Sequence, residues 1–321
     1  MSNKFMWTYL IHLSTHMWVD EHYHGHSWFT VTSQPYSEAN NVDLKIWDDT
    51  VKYLAECGYN TLIVDLGDAV KYESHPEICA PDAWDKDFLK KKLSEIRALG
   101  MTPIPKLNFS AGHDTWMKKY RRMVSTPEYY TFCADIIREV CELFESPEYF
   151  HIGFDEEVAR KQEPHEMIVV RGDDLWWHDF YFICRECEKY GARPWMWSDY
   201  YWDNKELFIK NMSKDVLQSN WFYGEFKDYP EDHAYYTRIK AYEDLEKMGF
   251  EQVPTASSCQ FYNNTYQTLA YGRERMDHSL LKGYMTAPWR MVTRKNKYVL
   301  IEDAYRLFYA REIFYPETIN N

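Results

Sequence analysis

Short β-rich runs alternate with helical patterns about eight times along this chain of 321 residues. Strand candidates lie at 9–14, 60–65, 102–107, 149–153, 193–198, 216–220, 251–256 and 283–287. Helical patterns lie near 43–57, 86–99, 128–144, 173–190, 203–211, 235–248, 265–281 and 300–314. Alternation of this number and length predicts a (β/α)8 TIM barrel. A doubly wound open sheet fits less well, since the sequence lacks the glycine-rich phosphate loop that normally follows its first strand.

Composition limits the number of domains and the class of partner. No linker or low-complexity tract interrupts the chain, so we expect a single domain over residues 1–321. A net charge of −13 argues against nucleic acid or an anionic membrane as a partner, and no window of 18 consecutive apolar residues could span a bilayer. Seven scattered cysteines and a start without an apolar core predict a cytoplasmic protein, unless a leader has been removed.

The residues that follow the predicted strands are the candidates for a functional site, because in such a barrel the loops after the strands form the working face. The candidates for substrate contact are His16, Asp65, His113, Trp197, Asp199, Trp221, Tyr262, Trp289 and Arg290. Aromatic rings stack on the apolar faces of sugars, while polar groups fix the orientation of the ring. This set therefore favours a carbohydrate substrate and implies no cofactor.

Three adjacent carboxylates, Asp155, Glu156 and Glu157, follow the fourth predicted strand. Neighbouring acids at a strand end can have different surroundings, so that one is held protonated while the other stays ionised. Cleavage of a glycosidic bond requires an acid for the leaving oxygen and an anion for the developing positive charge. Asp155 and Glu156 are therefore the candidate catalytic residues, whereas Glu157 is expected to begin the next helix.

Several stretches, in the same order, resemble the catalytic barrel of family 20 glycoside hydrolases, the β-N-acetylhexosaminidases. Residues 151–156 look like that family's His-x-Gly-Gly-Asp-Glu, with Phe154 in place of the second glycine. Residues 99–113 are similar to its third-strand stretch that ends in Pro-Gly-His, and 193–199 to its Arg-Pro-x-x-Trp-Asp strand. The resemblance extends over roughly residues 5–315.

The resemblance implies an exo-acting hydrolase that cleaves terminal β-linked N-acetylhexosamine with retention of configuration. In that family the substrate's own acetamido oxygen attacks the anomeric carbon. The resemblance implies that Glu156 is the general acid/base and that Asp155 holds the acetamido nitrogen. Tyr262 would bond the acetamido oxygen, although a one-residue slip would put Phe261 there. The residues that would wall the pocket are Trp197, Trp221 and Trp289.

The chain departs from the family pattern where the outer part of the sugar is bound. Thr15 or His16 stands in place of the first-strand arginine. Arg290 and Met291 stand where the family has a glutamate, and Asn108 stands where an aspartate is usual. A guanidinium pairs with carboxylate or sulfate, so Arg290 would suit a charged or otherwise modified sugar.

One alternative keeps the fold but changes the mechanism. Glu156 would be the acid, and Asp199 or Asp65 on another strand would be the nucleophile of a retaining glycosidase for sugars without an acetamido group. Phe154 beside the catalytic pair would crowd the site and favour this mechanism.

Two further alternatives belong to other functional classes. His22, His24 and His26 alternate near the first strand and could bind a metal together with a carboxylate. A polar surface loop is the preferred interpretation of this segment, and no metal site is expected. A sugar-binding protein without catalysis would use the same pocket, but Asp155 and Glu156 argue against it.

Overall fold

The structure is a computed structural model, and it describes residues 4–18, 20–21 and 36–319. The strands within these ranges are β1 Met6–His12, β2 Thr61–Asp65, β3 Thr102–Lys106, β4 Tyr149–Gly153, β5 Arg193–Trp197, β6 Leu217–Ser219, β7 Thr255–Ala256 and β8 Gly283–Thr286. The α-helices are α1 Leu44–Glu56, α2 Lys86–Ala98, α3 Pro127–Leu143, α4 Ala159–Gln162, α5 Asp173–Glu188, α6 Tyr200–Asp203, α7 Lys205–Asn211, α8 Ala234–Lys247, α9 Asn264–Arg275 and α10 Lys297–Phe314. In the same ranges, no helix is both long enough and apolar enough to cross a membrane.

The strands form a parallel barrel. Their order is β6-β5-β4-β3-β2-β1-β8-β7. Two parallel bridges, Gln218 to Gln252 and Trp221 to Thr255, join β6 to β7 and close the circle. The predicted (β/α)8 barrel is therefore confirmed, and each predicted strand overlaps an observed one. The seventh is the shortest, because Pro254 has no N–H to donate to a neighbouring strand.

Helix α2 illustrates why the predicted helices form where they do. The Asp85 side chain caps the first turn by accepting the backbone N–H of Phe88 at 2.8 Å. Leu89, Leu93 and Ile96 recur at helical spacing and are buried against the sheet. Gly100, with φ +82°, allows the left-handed turn that leads the chain into β3.

The barrel interior changes from apolar to polar towards the carboxyl ends of the strands. Leu10, Ile63 and Ile104 belong to its apolar part. Two residues further along each strand, His12, Asp65 and Lys106 are fully buried. Asp65 Oδ2 lies 2.7 Å from Lys106 Nζ and 3.1 Å from His12 Nδ1. Burial alone would raise the pKa of Asp65, but the Lys106 charge and the His12 contact hold it below its usual range.

We expect Lys106→Met to destabilise the protein by about 3–5 kcal/mol, because it leaves the Asp65 carboxylate buried without its countercharge. The measurement is urea unfolding at pH 7. The matched control is Arg273→Met, whose partner Glu317 lies 2.8 Å away, with the two side chains 43% and 52% exposed. Removing this surface pair should cost about 1 kcal/mol or less. Equal losses in the two variants would contradict the importance of the buried pair.

Candidate active site

The backbone after β4 has an unusual conformation. Gly153, Phe154 and Glu156 have φ values of +76°, +66° and +55°. This left-handed region is unfavourable for residues other than glycine. Each non-glycine residue held there costs on the order of 1–3 kcal/mol, and such strain concentrates at functional sites.

The Phe154 side chain is directed into the helix layer. Its ring packs edge-on against Trp176 and Phe180 of α5, with centroid distances of 5.4 and 5.1 Å. The expectation that Phe154 crowds the catalytic pair is therefore wrong. The ring instead fixes the turn that presents the two following carboxylates to the barrel mouth.

Asp155 is held by side chains that follow β3. Its Oδ1 accepts the Asn108 amide N–H at 2.9 Å and lies 2.9 Å from Ser110 Oγ, which also accepts the Asp155 backbone N–H at 2.8 Å. Gly153 is required for this approach, because a Cβ there would lie 2.0 Å from Asn108 Oδ1. One carboxylate oxygen is thus fixed in position.

Glu156 lies between two cationic groups. Its Oε1 is 2.8 Å from Lys161 Nζ on α4, and its Oε2 is 3.4 Å from His113 Nε2. Burial alone would raise the pKa of Glu156, but the hydrogen bond from His113 and the Lys161 charge lower it to about 2. In the ligand-free protein Glu156 is therefore ionised at neutral pH.

His113 connects the two carboxylates to the first loop. Its Nδ1 lies 2.9 Å from the Met17 carbonyl oxygen, so this nitrogen donates. Its Nε2 faces Asp155 Oδ2 at 3.6 Å and Glu156 Oε2 at 3.4 Å. Burial lowers the pKa of His113, but the charges of Asp155 and Glu156 outweigh it and raise the pKa to about 10. The ring is therefore an imidazolium at neutral pH.

Asp199 is the carboxyl group that stays protonated. Its Oδ2 accepts the backbone N–H of Glu156 at 2.7 Å, and its Oδ1 accepts the Trp221 indole N–H at 3.2 Å. Burial, followed by the charge of Asp155, raises the pKa of Asp199 to about 8. Asp199 therefore supports the Glu156 backbone from the β5 end without adding a full negative charge.

An aromatic wall lies beside these carboxylates. It includes the predicted residues Trp197, Trp221 and Trp289, with 5.9 Å between the Trp197 and Trp289 ring centroids. Tyr223, which follows the sixth predicted strand but is not among the predicted contact residues, stacks on Trp221 at 5.1 Å. It lies two residues beyond Trp221, and that spacing on an extended chain was the available signal.

The Tyr223 hydroxyl is buried, and within the described residues the Trp289 indole approaches it without a hydrogen bond of good geometry. Burial raises the pKa of Tyr223 well above its usual value, and the Asp155 charge contributes to the shift. A neutral hydroxyl therefore belongs to the aromatic wall beside these carboxylates.

Four of the predicted contact residues do not contact the carboxylates. Two of these four, His16 and Asp65, are buried and bonded to other residues of the protein. The buried His16 ring lies 2.5 Å from Asp68 Oδ2 through Nδ1 and 2.5 Å from the Ser37 carbonyl through Nε2. Asp65 lies in the polar layer of the barrel interior, bound to Lys106. His16 thus joins the loop after β1 to the loop after β2, whereas Asp65 lies inside the barrel.

The other two are Tyr262 and Arg290. Tyr262 is 64% exposed, and its hydroxyl donates to Glu302 at 2.9 Å, so it points to the outside of the barrel. Arg290 donates through Nη1 to the carbonyl of the preceding residue, Trp289, at 2.9 Å. Of the two tyrosines, Tyr223 is the one that belongs to the aromatic wall.

Glu157 does not begin a helix, contrary to expectation, because α4 starts at Ala159. Its Oε1 accepts the Ala111 backbone N–H at 2.6 Å and pairs with Arg171, and its Oε2 accepts the Trp176 indole N–H. This buried carboxylate ties the loop after β4 to the loop after β3 and to α5. It holds the turn that carries Asp155 and Glu156 in place.

The alternating histidines His22, His24 and His26 lie outside the described residues. Within the described part of the chain, no group of three or more His, Cys, Asp or Glu side chains is arranged to hold a metal ion. The metal-dependent alternative therefore gains no support from these residues.

Solved structures share this fold. A GH20 exo-β-N-acetylglucosaminidase from Vibrio harveyi, in complex with N-acetylglucosamine, matches 98% of this chain at 13% identity with a TM-score of 0.61. A mutant β-hexosaminidase from Streptomyces plicatus, in complex with the product N-acetylglucosamine, matches 98% at 11% identity with a TM-score of 0.62. Dispersin B matches 94% of this chain and 97% of its own at 13% identity with a TM-score of 0.59.

The chain spans only 57% of the Vibrio harveyi structure and 69% of the Streptomyces plicatus structure. No protein-family model matches the chain. No curated protein matches it either. At such low identity the likeness shows the fold, and this chain has the barrel fold that these hexosaminidase structures share.

We expect His113 to titrate near pH 10 by NMR of its imidazole, because two carboxylates stabilise the protonated ring. Glu156→Gln should lower that midpoint by removing one of them. Since the folded-state pKa exceeds the unfolded value of about 6.5, the resulting stability is full below that pH and is lost as pH rises towards the folded pKa.

Glu77→Gln is the control for this titration, because Glu77 bonds Tyr120 and lies apart from the His113 cluster. It should leave the His113 midpoint unchanged. A midpoint near 6.5 in the parent protein would show that the carboxylates do not stabilise the protonated ring.

Proposed function

We propose that this protein is an exo-acting retaining glycoside hydrolase that cleaves terminal β-linked N-acetylhexosamine. The observation that carries the proposal is the adjacent pair Asp155 and Glu156 at the mouth of a barrel. One member is oriented by Asn108 and Ser110, and the pair lies beside a wall of tryptophans. The fold shared with hexosaminidases crystallised with N-acetylglucosamine supports the same assignment.

Asp155 is the residue that acts on the acetamido group in this proposal. Asn108 and Ser110 hold its Oδ1, so the charge on its Oδ2 can be directed at the substrate. The carboxylate accepts the acetamido N–H and stabilises the positive charge that develops as the acetamido oxygen attacks the anomeric carbon. Tyr223, rather than Tyr262, donates its hydroxyl to that oxygen.

Glu156 protonates the leaving oxygen and then removes a proton from the attacking water. Its ionised resting state already suits the second step. The first step requires a proton on Glu156, so substrate binding must make the anion less favourable. Exclusion of water around the carboxylate by the bound sugar acts in this direction.

The alternative with a separate carboxylate nucleophile has weaker support. Asp65 is fully buried and paired with Lys106. Asp199 accepts two hydrogen bonds and has a raised pKa of about 8, so at neutral pH it is a neutral and poor nucleophile. The acetamido group of the substrate is the better candidate for the attacking group.

We expect Glu156→Gln to reduce turnover of aryl N-acetyl-β-glucosaminides by about 10²–10⁴-fold, the usual contribution of a general acid or base. Asp203→Asn is the control, since Asp203 pairs with Arg160 on the surface. Initial rates at saturating substrate give the comparison. A Glu156→Gln protein with the parent's rate would exclude Glu156 as the acid/base.

Asp155→Asn should affect substrates with an acetamido group most, because the neutral amide cannot stabilise the charge that forms on that group. The measurement is kcat/KM for paired aryl β-glycosides, N-acetylglucosaminide against glucoside and N-acetylgalactosaminide against galactoside. Equal losses with and without the acetamido group would contradict the assigned role.

Tyr223→Phe should lower kcat/KM on N-acetylglucosaminides by up to about 10-fold, the equivalent of one neutral hydrogen bond in the transition state. Thermal stability should change little, because no side chain within the described residues makes a hydrogen bond of good geometry to this hydroxyl. Tyr262→Phe is the matched control, since that exposed ring points outward. A larger effect from Tyr262→Phe would reverse the choice between the two tyrosines.

A further inference from the structure

The ion pair between Lys161 and Glu156 is not used in the proposed binding of the terminal sugar. Lys161 lies on the short helix α4, in the loop between β4 and α5, and its side chain is 41% exposed. Its Nζ is 2.8 Å from Glu156 Oε1, an oxygen of the proposed acid/base. Because the acid/base faces the leaving oxygen, a solvent-exposed cation bonded to it lies where the leaving group emerges.

The groups that face Glu156 from the surrounding loops differ in charge, in their other partners and in exposure. Asp155 and Asp199 are the neighbouring carboxyl groups, and the first adds negative charge. His113 is anchored by the Met17 carbonyl and remains in place. Lys161 alone among these is an exposed ammonium on a flexible stem, which can exchange one anionic partner for another.

We propose that Lys161 selects leaving groups that carry a carboxylate or sulfate, by exchanging its ion pair with Glu156 for one with the substrate. This inference rests on the proposed glycosidase function and extends it to the leaving-group side of the bond. Sugars linked to an acidic neighbour, such as a uronic acid or a sulfated sugar, are the substrate class that this contact suits.

The exchange links recognition to protonation. Once the substrate anion holds Lys161, the Oε1 of Glu156 loses its closest cation, and the carboxylate takes up a proton from water. That proton passes to the leaving oxygen as the glycosidic bond breaks, and Lys161 keeps its charge throughout. A neutral leaving group leaves the Lys161–Glu156 pair intact, so less of the enzyme carries the required proton.

The test compares 4-carboxyphenyl and 4-(methoxycarbonyl)phenyl N-acetyl-β-glucosaminides, which differ in leaving-group charge. The parent should show a kcat/KM at least about 10-fold higher for the carboxylate, or about 1.4 kcal/mol. The neutral ester is the more electron-withdrawing substituent, so intrinsic reactivity works against this preference. Lys161→Gln should abolish the preference and shift the basic limb of the pH profile on the ester to higher pH.

Arg160→Gln is the matched control. Arg160 is the neighbouring cation on α4, but it pairs with Asp203, so the preference should persist in this variant. Hydrolysis of both substrates without a preference, or a preference that survives in Lys161→Gln, would overturn the inference and leave the glycosidase function standing. Hydrolysis of neither substrate by the parent would overturn the proposed function and this inference with it.

Discussion

The balance of charge at the barrel mouth is the constraint on which the candidate site depends. Asp155 and Glu156 both face His113, Asp199 accepts the Glu156 backbone N–H, and three ionised carboxylates so close together in a buried site would repel one another. His113 and Lys161 compensate two of the charges, and Asp199 keeps its proton. The ionisation of each group is therefore a property of the whole cluster, and entry of any charged ligand redistributes the protons within it.

The position of the cluster is set by contacts outside the pocket. The left-handed turn from Gly153 to Glu156 is unfavourable locally, and it persists because neighbouring layers hold it. The Asn108 amide fixes Asp155 from β3. The Glu157 side chain holds the other end of the turn through Ala111 and α5. Preorganisation of this kind costs stability in the ground state and avoids rearrangement during the reaction.

Sequence periodicity predicted the barrel because hydrophobic spacing and strand–helix alternation are local signals that survive in three dimensions. Asp155 and Glu156 could be placed at the mouth because strand ends are predictable. The partners of a side chain are not, since they depend on how loops from different strands meet. His16, predicted from its position, and Tyr262, predicted from its position and the family resemblance, therefore lie elsewhere. Glu157 was assigned to a helix start, although it bridges two loops.

The Phe154 ring packs the turn that carries Asp155 and Glu156 against the outer helix α5. Its packing on Trp176 and Phe180 means that a shift of α5 moves the backbone that carries Asp155 and Glu156. Under the proposed function, substitutions that repack the outer face of this barrel would alter the turnover rate without contacting the substrate. Substitutions in the aromatic layer behind β4, or a partner bound to α5, would therefore change the positions of Asp155 and Glu156 without contacting either residue.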